Sequence, residues 1–148
     1  MQEYNTESSH GTTRWSHYQT AYHFVWIPKY RRKIFNGPIE QETKRLLHEC
    51  AVLHGFKILA LETDLDHVHC FVSAPPRYAP ATIVGHLKGY SSKYLREKFP
   101  ELLKKCGKDQ LWTQTYYVGT AGSVSQQVIR RYIVTTQVGQ DGRAGSLP

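Results

Sequence analysis

The sequence predicts an α+β fold built on one antiparallel sheet, and three observations carry that prediction. Segments dense in aromatic and β-branched residues occur at 18–27, 56–63, 68–73 and 112–120. Stretches with helical spacing of apolar residues separate the first segment from the second and the third from the fourth. Glycine and proline fall at the joints.

The first strand, residues 18–27 (YQTAYHFVWI), stops at Pro28. A helix over 39–54 follows, with Ile39, Leu46, Leu47, Cys50 and Ala51 on one side and Gly55 as its stop. Strands at 56–63 (FKILALET) and 68–73 are joined by the turn Asp64-Leu65-Asp66, and Pro75, Pro76 and Pro80 mark the next loop. The second helix, 81–98, turns Val84, Leu87, Ser91, Tyr94 and Leu95 inward. A fourth strand spans 112–120, where Thr113, Thr115 and Tyr117, or the alternate set Trp112, Gln114, Tyr116 and Val118, would form an exposed edge able to pair with a twin. A last helix starts near Ser123, whose spacing to Gln126 suits a capping box, and runs to about Gln137. The order βαββαβ is the ferredoxin-like arrangement, here with an added C-terminal helix. One folded unit is expected over 18–137, with a flexible arm at 1–17 and a Gly-rich, disordered tail at 138–148.

The 148 residues are enough for one domain with a real core. There is no run of about 18 apolar residues and no apolar leader, so the expectation is a cytoplasmic protein with no membrane span. Cys50, Cys70 and Cys106 are odd in number and share no CxxC spacing, which suits reduced thiols. Cys70 adjoins His69 on a strand and should face the other way. The net charge of +7 points to a polyanionic partner, with nucleic acid the expectation. Lys29, Arg31, Arg32 and Lys33 crowd five positions, and residues 88–105 carry six basic and two acidic side chains. Lys29, Arg31, Arg32, Lys88 and Lys93 are the candidate nucleic-acid contacts; a merely solvated face is the alternative for either cluster.

Asp66-His67-Val68-His69-Cys70-Phe71-Val72 is the most informative stretch. Strand alternation puts His67, His69 and Phe71 on one face and Val68, Cys70 and Val72 in the core. Two imidazoles two residues apart can reach one divalent cation, leaving positions for a third ligand, water and substrate oxygens. They can equally be two histidines on an exposed sheet face. Tyr132 follows Arg130 and Arg131 on the last helix. A tyrosine can attack a phosphodiester, but ten tyrosines are present and a helical one is usually a packing residue.

Five segments in order resemble one family: YHFVWIPKYRRKIF, LETDLDHVHCFVSAPP, LKGYSSKYLRE, LWTQTYYVGTAG and VSQQVIRRYI. They resemble the HUH-type, single-tyrosine transposases of small bacterial and archaeal insertion sequences, relatives of the REP-associated tyrosine transposases. The resemblance implies that 18–137 is a catalytic domain, with His67 and His69 as metal ligands for Mg²⁺ or Mn²⁺ and Tyr132 as nucleophile. It implies a single-stranded DNA substrate with hairpins at the element ends, cleavage to a 5′-phosphotyrosine and a free 3′-OH, and rejoining. It also implies a homodimer in which the tyrosine helix of one subunit can complete the partner's site. The family places a glutamine four residues after the tyrosine as third ligand. Here Thr136 stands there and Gln137 comes one later, about 140° round a regular helix from Tyr132. Either the last turn loosens and Gln137 still ligates, or Thr136 or water replaces it, or metal binding and activity are impaired. Two other readings remain: a non-catalytic nucleic-acid-binding relative of the same fold, and a metal-dependent hydrolase using activated water.

Overall fold

The computed structural model describes residues 11–12, 17–18 and 21–120. The expected last helix, with Tyr132, Thr136 and Gln137, and the tail beyond it lie outside these residues. Strands β1 (Gly11–Thr12) and β2 (His17–Tyr18) pair with each other. The main sheet comprises β3 (Ala21–Trp26), β4 (Lys57–Asp64), β5 (His67–Ser73) and β6 (Tyr117–Thr120). Its order is β4-β5-β3-β6, antiparallel throughout. The first and third strands of the motif therefore lie in the centre, as the ferredoxin-like expectation requires.

Helix α1 (Gly37–His54) opens with proline in its first turn and closes on Gly55, whose φ of 73° lets Phe56 N–H reach back to Ala51 O at 2.9 Å. All five side chains expected on its inner side are buried. Helix α2 (Pro80–Lys98) differs in detail from the sequence reading: Ile83 and Ser92 join Val84, Leu87, Ser91 and Leu95 inside, while Tyr94 is 37% exposed. The two serines explain the shift. Trp112 Nε1 donates to Ser91 Oγ and to Lys88 O, each at 3.1 Å, and Leu111 N–H donates to Ser92 Oγ at 3.1 Å.

That seat also corrects the fourth strand. Residues 112–116 do not form one; Trp112 makes only an isolated bridge with Pro28, and β6 starts at Tyr117. Of the edge residues expected there, only Tyr117 and Val118 lie on a strand, both exposed. The alternation of WTQTYY imitates a strand, but burying two large apolar side chains against α2 outweighs a local preference. Of the first expected strand, Tyr18 belongs to β2 and Ala21–Trp26 to β3. A short α3 (Glu101–Cys106) was not anticipated; only Leu102 and Cys106, one turn apart, are buried, too brief a pattern to register.

Alternation along the strands sorts the sheet into two faces. Phe24, Trp26, Val68, Cys70 and Val72 join α1 and α2 in the main core. Ala21, Ala60 and Phe71 cluster apart from it, beside Leu59, where a bulge shifts the β4–β5 register between Ile58 and Ala60. The three cysteines are buried and free. Burial pushes the Cys70 thiol up to about 12 and Cys50 to about 11, so neither is a thiolate at neutral pH.

Candidate metal centre

His67 and His69 open β5, a strand paired on both sides. Val25 of β3 stands opposite His69, while Glu62 and Asp64 of β4 stand opposite His69 and His67. Flanked in this way the imidazoles are buried, with 9% and 2% of their surface exposed. Their ring centres are 6.4 Å apart. They share the face expected from alternation, with Phe71 beyond them and Cys70 in the opposite core.

Each histidine has a partner behind it. His23 of β3 places Nε2 3.3 Å from His69 Nδ1 and stacks on Phe71 with ring centres 4.2 Å apart and planes 6° from parallel. Burial lowers His69 to about 4, aided by the like charges of His23 and His67, and burial alone lowers His23 to about 4. Both rings are thus neutral at neutral pH, as metal ligation demands. For His67, Asp66 Oδ1 lies 2.5 Å from Nδ1 and Arg31 Nη2 lies 3.2 Å from Nε2. Arginine can only donate, so Nε2 is the acceptor in that contact, while Nδ1 faces the carboxylate without a regular hydrogen bond. A carboxylate behind an imidazole is a common support for a metal-ligating histidine.

The donor set fits a divalent ion: two imidazoles on one face, each with a neighbour behind it. Among the described residues no group of three His, Cys, Asp or Glu could hold a metal. A third donor is left to another residue type, to water or to residues outside the described ones, where Gln137 falls.

The basic candidates sit on two elements. Lys29 and Arg31 form a tight turn after β3, and Arg32 follows, donating from Nε to Lys105 O at 3.1 Å. Lys88 and Lys93 lie on α2. Lys93 is exposed above the Tyr94 ring. Lys88 is half-buried, donates to Thr113 O at 2.6 Å, and lines a cavity of about 370 Å³ with Arg96, Trp112, Gln114 and Tyr116. Burial lowers its pKa.

Sequence reasoning missed His23 as a partner of the pair. The signal was present in part: period-2 alternation places 21, 23 and 25 on the face away from Phe24 and Trp26. The ferredoxin-like order already put β3 beside β5; what no pattern showed was the register that brings His23 within reach of His69.

The sequence profile described as IS200-like transposase matches residues 16–136. The chain belongs to that family. It is an HUH-type, single-tyrosine transposase, a DNA-cutting and DNA-rejoining enzyme of an insertion sequence. This transposase is 32% identical over 116 residues to the ISDra2 transposase TnpA of Deinococcus radiodurans, covering 78% of this chain and 83% of the relative. It is 34% identical over 122 residues to the transposase for insertion sequence element IS200 of Salmonella typhimurium, covering 82% and 78%. A crystal structure from Deinococcus radiodurans R1, described as a candidate transposase, matches with a TM-score of 0.69 and 29% identity over 84% of this chain and 95% of that one. A REP-associated tyrosine transposase bound to a REP hairpin shares the fold, with a TM-score of 0.53 and 14% identity over 78% of this chain and 62% of that one. Among the described residues of this transposase no helix is long and apolar enough to cross a membrane.

Proposed function

We propose that this transposase cuts and rejoins single-stranded DNA at hairpin-bearing element ends, with Tyr132 as nucleophile and His67 and His69 holding Mg²⁺ or Mn²⁺. The observation that carries the reading is the pair of buried imidazoles on one face of β5, with His69 held neutral by burial. The known binding of a REP hairpin by a protein of the same fold supports the choice of substrate. Imidazole ligands favour Mn²⁺ over Mg²⁺, which prefers oxygen.

The residues divide the work. The Tyr132 phenol attacks the scissile phosphorus and gives up its proton. The P–O3′ bond breaks, leaving a 3′-OH and a 5′-phosphotyrosine. A 3′-OH then attacks that phosphorus and releases the tyrosine, so the phosphodiester count is conserved. A bound divalent ion supplies charge stabilisation at the scissile phosphate. His23 and Asp66, placed behind the two imidazoles, would help hold them for such an ion. Gln137 completes the ligand set if the last turn departs from a regular helix, and a homodimer would let one subunit's tyrosine helix serve its partner's site. Lys29, Arg32, Lys88 and Lys93 supply the positive surface for the strand.

Incubation with a single-stranded element end and Mn²⁺, resolved on a denaturing gel, tests the reading. Wild type should form a protein–DNA adduct and Tyr132→Phe should form none while still binding the hairpin. Cleavage without any adduct would point to the hydrolase, and binding without cleavage to a non-catalytic relative.

A further inference from the structure

The turn between β3 and α1 is built in an unfavourable way. Tyr30 and Arg31 have φ of 61° and 50°, in the left-handed region that L side chains avoid, and neither is glycine. Tyr30 is 72% exposed, so its packing does not account for the conformation. The chain is pinned on both sides of it. Lys29 N–H donates to Leu111 O at 2.8 Å, Arg31 N–H to Pro28 O at 3.0 Å, and Ile34 and Phe35 are buried in the core. The outcome of the strained turn is the position of one side chain: Arg31 reaches Asp66 with Nε at 3.4 Å and His67 Nε2 with Nη2 at 3.2 Å.

That contact uses the lone pair a metal needs. An imidazole Nε2 has a single lone pair, which cannot accept from a guanidinium and ligate a cation together. Arg31 also places a positive charge where a divalent ion would have to come. A phosphodiester is a stronger partner for a guanidinium than an imidazole nitrogen, because it is an anion and accepts two charge-assisted hydrogen bonds. The side chain is 63% exposed and so within reach of such a group.

We propose that Arg31 competes with the divalent ion for His67 Nε2 and yields it when a DNA phosphate takes the guanidinium, so that metal and single-stranded DNA promote each other's binding. This rests on His67 being a metal ligand. By linkage, the factor by which DNA tightens metal binding equals the factor by which metal tightens DNA binding.

The test is Mn²⁺ affinity by calorimetry, in a Tyr132→Phe background so that DNA stays intact, with and without an oligothymidylate. Arg31→Gly is the main variant, because glycine takes a φ of 50° without strain; Arg31→Ala is the second. Both should bind Mn²⁺ about tenfold more tightly than the parent without DNA, from loss of a competing donor and charge. Arg32→Ala, which removes an adjacent charge, should not. The oligonucleotide should raise the parent's Mn²⁺ affinity about tenfold and that of Arg31→Gly about twofold. Equal Mn²⁺ affinity in parent and Arg31→Gly would overturn the proposal and leave the metal site standing. An equal gain in Arg32→Ala, or an equal DNA effect with and without Arg31, would also overturn it. If neither the parent nor any variant binds Mn²⁺, the metal reading itself fails and the proposal with it.

Discussion

The two faces of the central sheet are made by the same strands and are held by different physics. On the helix-covered face Phe24, Trp26, Val68, Cys70 and Val72 interdigitate with α1 and α2 and are almost wholly buried. That face holds through shape and removal from water, which are summed over many contacts and tolerate polar groups poorly. On the other face His23, His67 and His69 are also buried or half-buried, yet they are held by a few directional contacts with one another, Asp66 and Arg31. The first face supplies stability and the second supplies imidazole nitrogens. Alternation of side chains keeps the two jobs one residue apart along β5, so the site can be polar without opening the core.

The largest expected stability effect lies on the first face. Trp26→Ala should cost about 3–5 kcal/mol, from lost transfer energy and the cavity left behind. Urea denaturation checks it; a loss under 1 kcal/mol would mean the core is not where packing places it. His69→Ala should reverse the pattern. Mn²⁺ affinity should fall by about a hundredfold or more, since even loss of a supporting partner costs tenfold to a hundredfold. Stability should change by about 1–2 kcal/mol, well short of the tryptophan, because an imidazole is smaller than an indole and leaves a smaller cavity. An intact metal site in His69→Ala would break the division.

Acid should separate the faces in sequence. His23 and His69 titrate near 4 when folded and near 6.5 when unfolded. Between those values the unfolded chain binds protons that the folded chain refuses. Stability should therefore be full above about pH 6.5, fall as pH drops, and level off below about 4, a loss on the order of a few kcal/mol. Glu42 on α1 follows later. Hydrogen bonds from Arg45 at 2.7 and 2.8 Å, with Lys98 nearby, hold its carboxyl at about 2. Its contribution is present above about pH 4.5 and is lost as pH falls toward 2. Urea midpoints measured from pH 8 to 3 should show the first decline shrink in His23→Gln and the second in Glu42→Gln. A first decline unchanged in His23→Gln would remove the histidine face from the acid response.

The smallest effect sharpens the boundary of the core. Tyr94→Ala should cost no more than about 1 kcal/mol, because the ring is 37% exposed and rests on Tyr90 with centres 4.8 Å apart. The same denaturation assay decides it. A cost near that of Trp26→Ala would restore Tyr94 to the inner face that helical spacing assigned to it.

Local pattern determined most of the architecture. Period-2 and period-3.6 spacing, Pro28 and Gly55 gave the strands, both long helices and the order βαββαβ, because these signals act within a few residues. The same parity placed His67 and His69 together, away from Cys70. Tertiary structure decided what depends on which elements become neighbours. Trp112 leaves the expected strand because Ser91 and Ser92, some twenty residues earlier, offer it and the adjoining Leu111 hydrogen bonds and a seat. His23 becomes the support of His69 across 46 residues only because the β3–β5 register sets it opposite Phe71, two residues along from His69. Arg31 reads as one basic residue in a cluster of four, and only the folded turn carries it to His67. In each case the contact is non-local and its geometry is set by packing, which no spacing along the chain encodes.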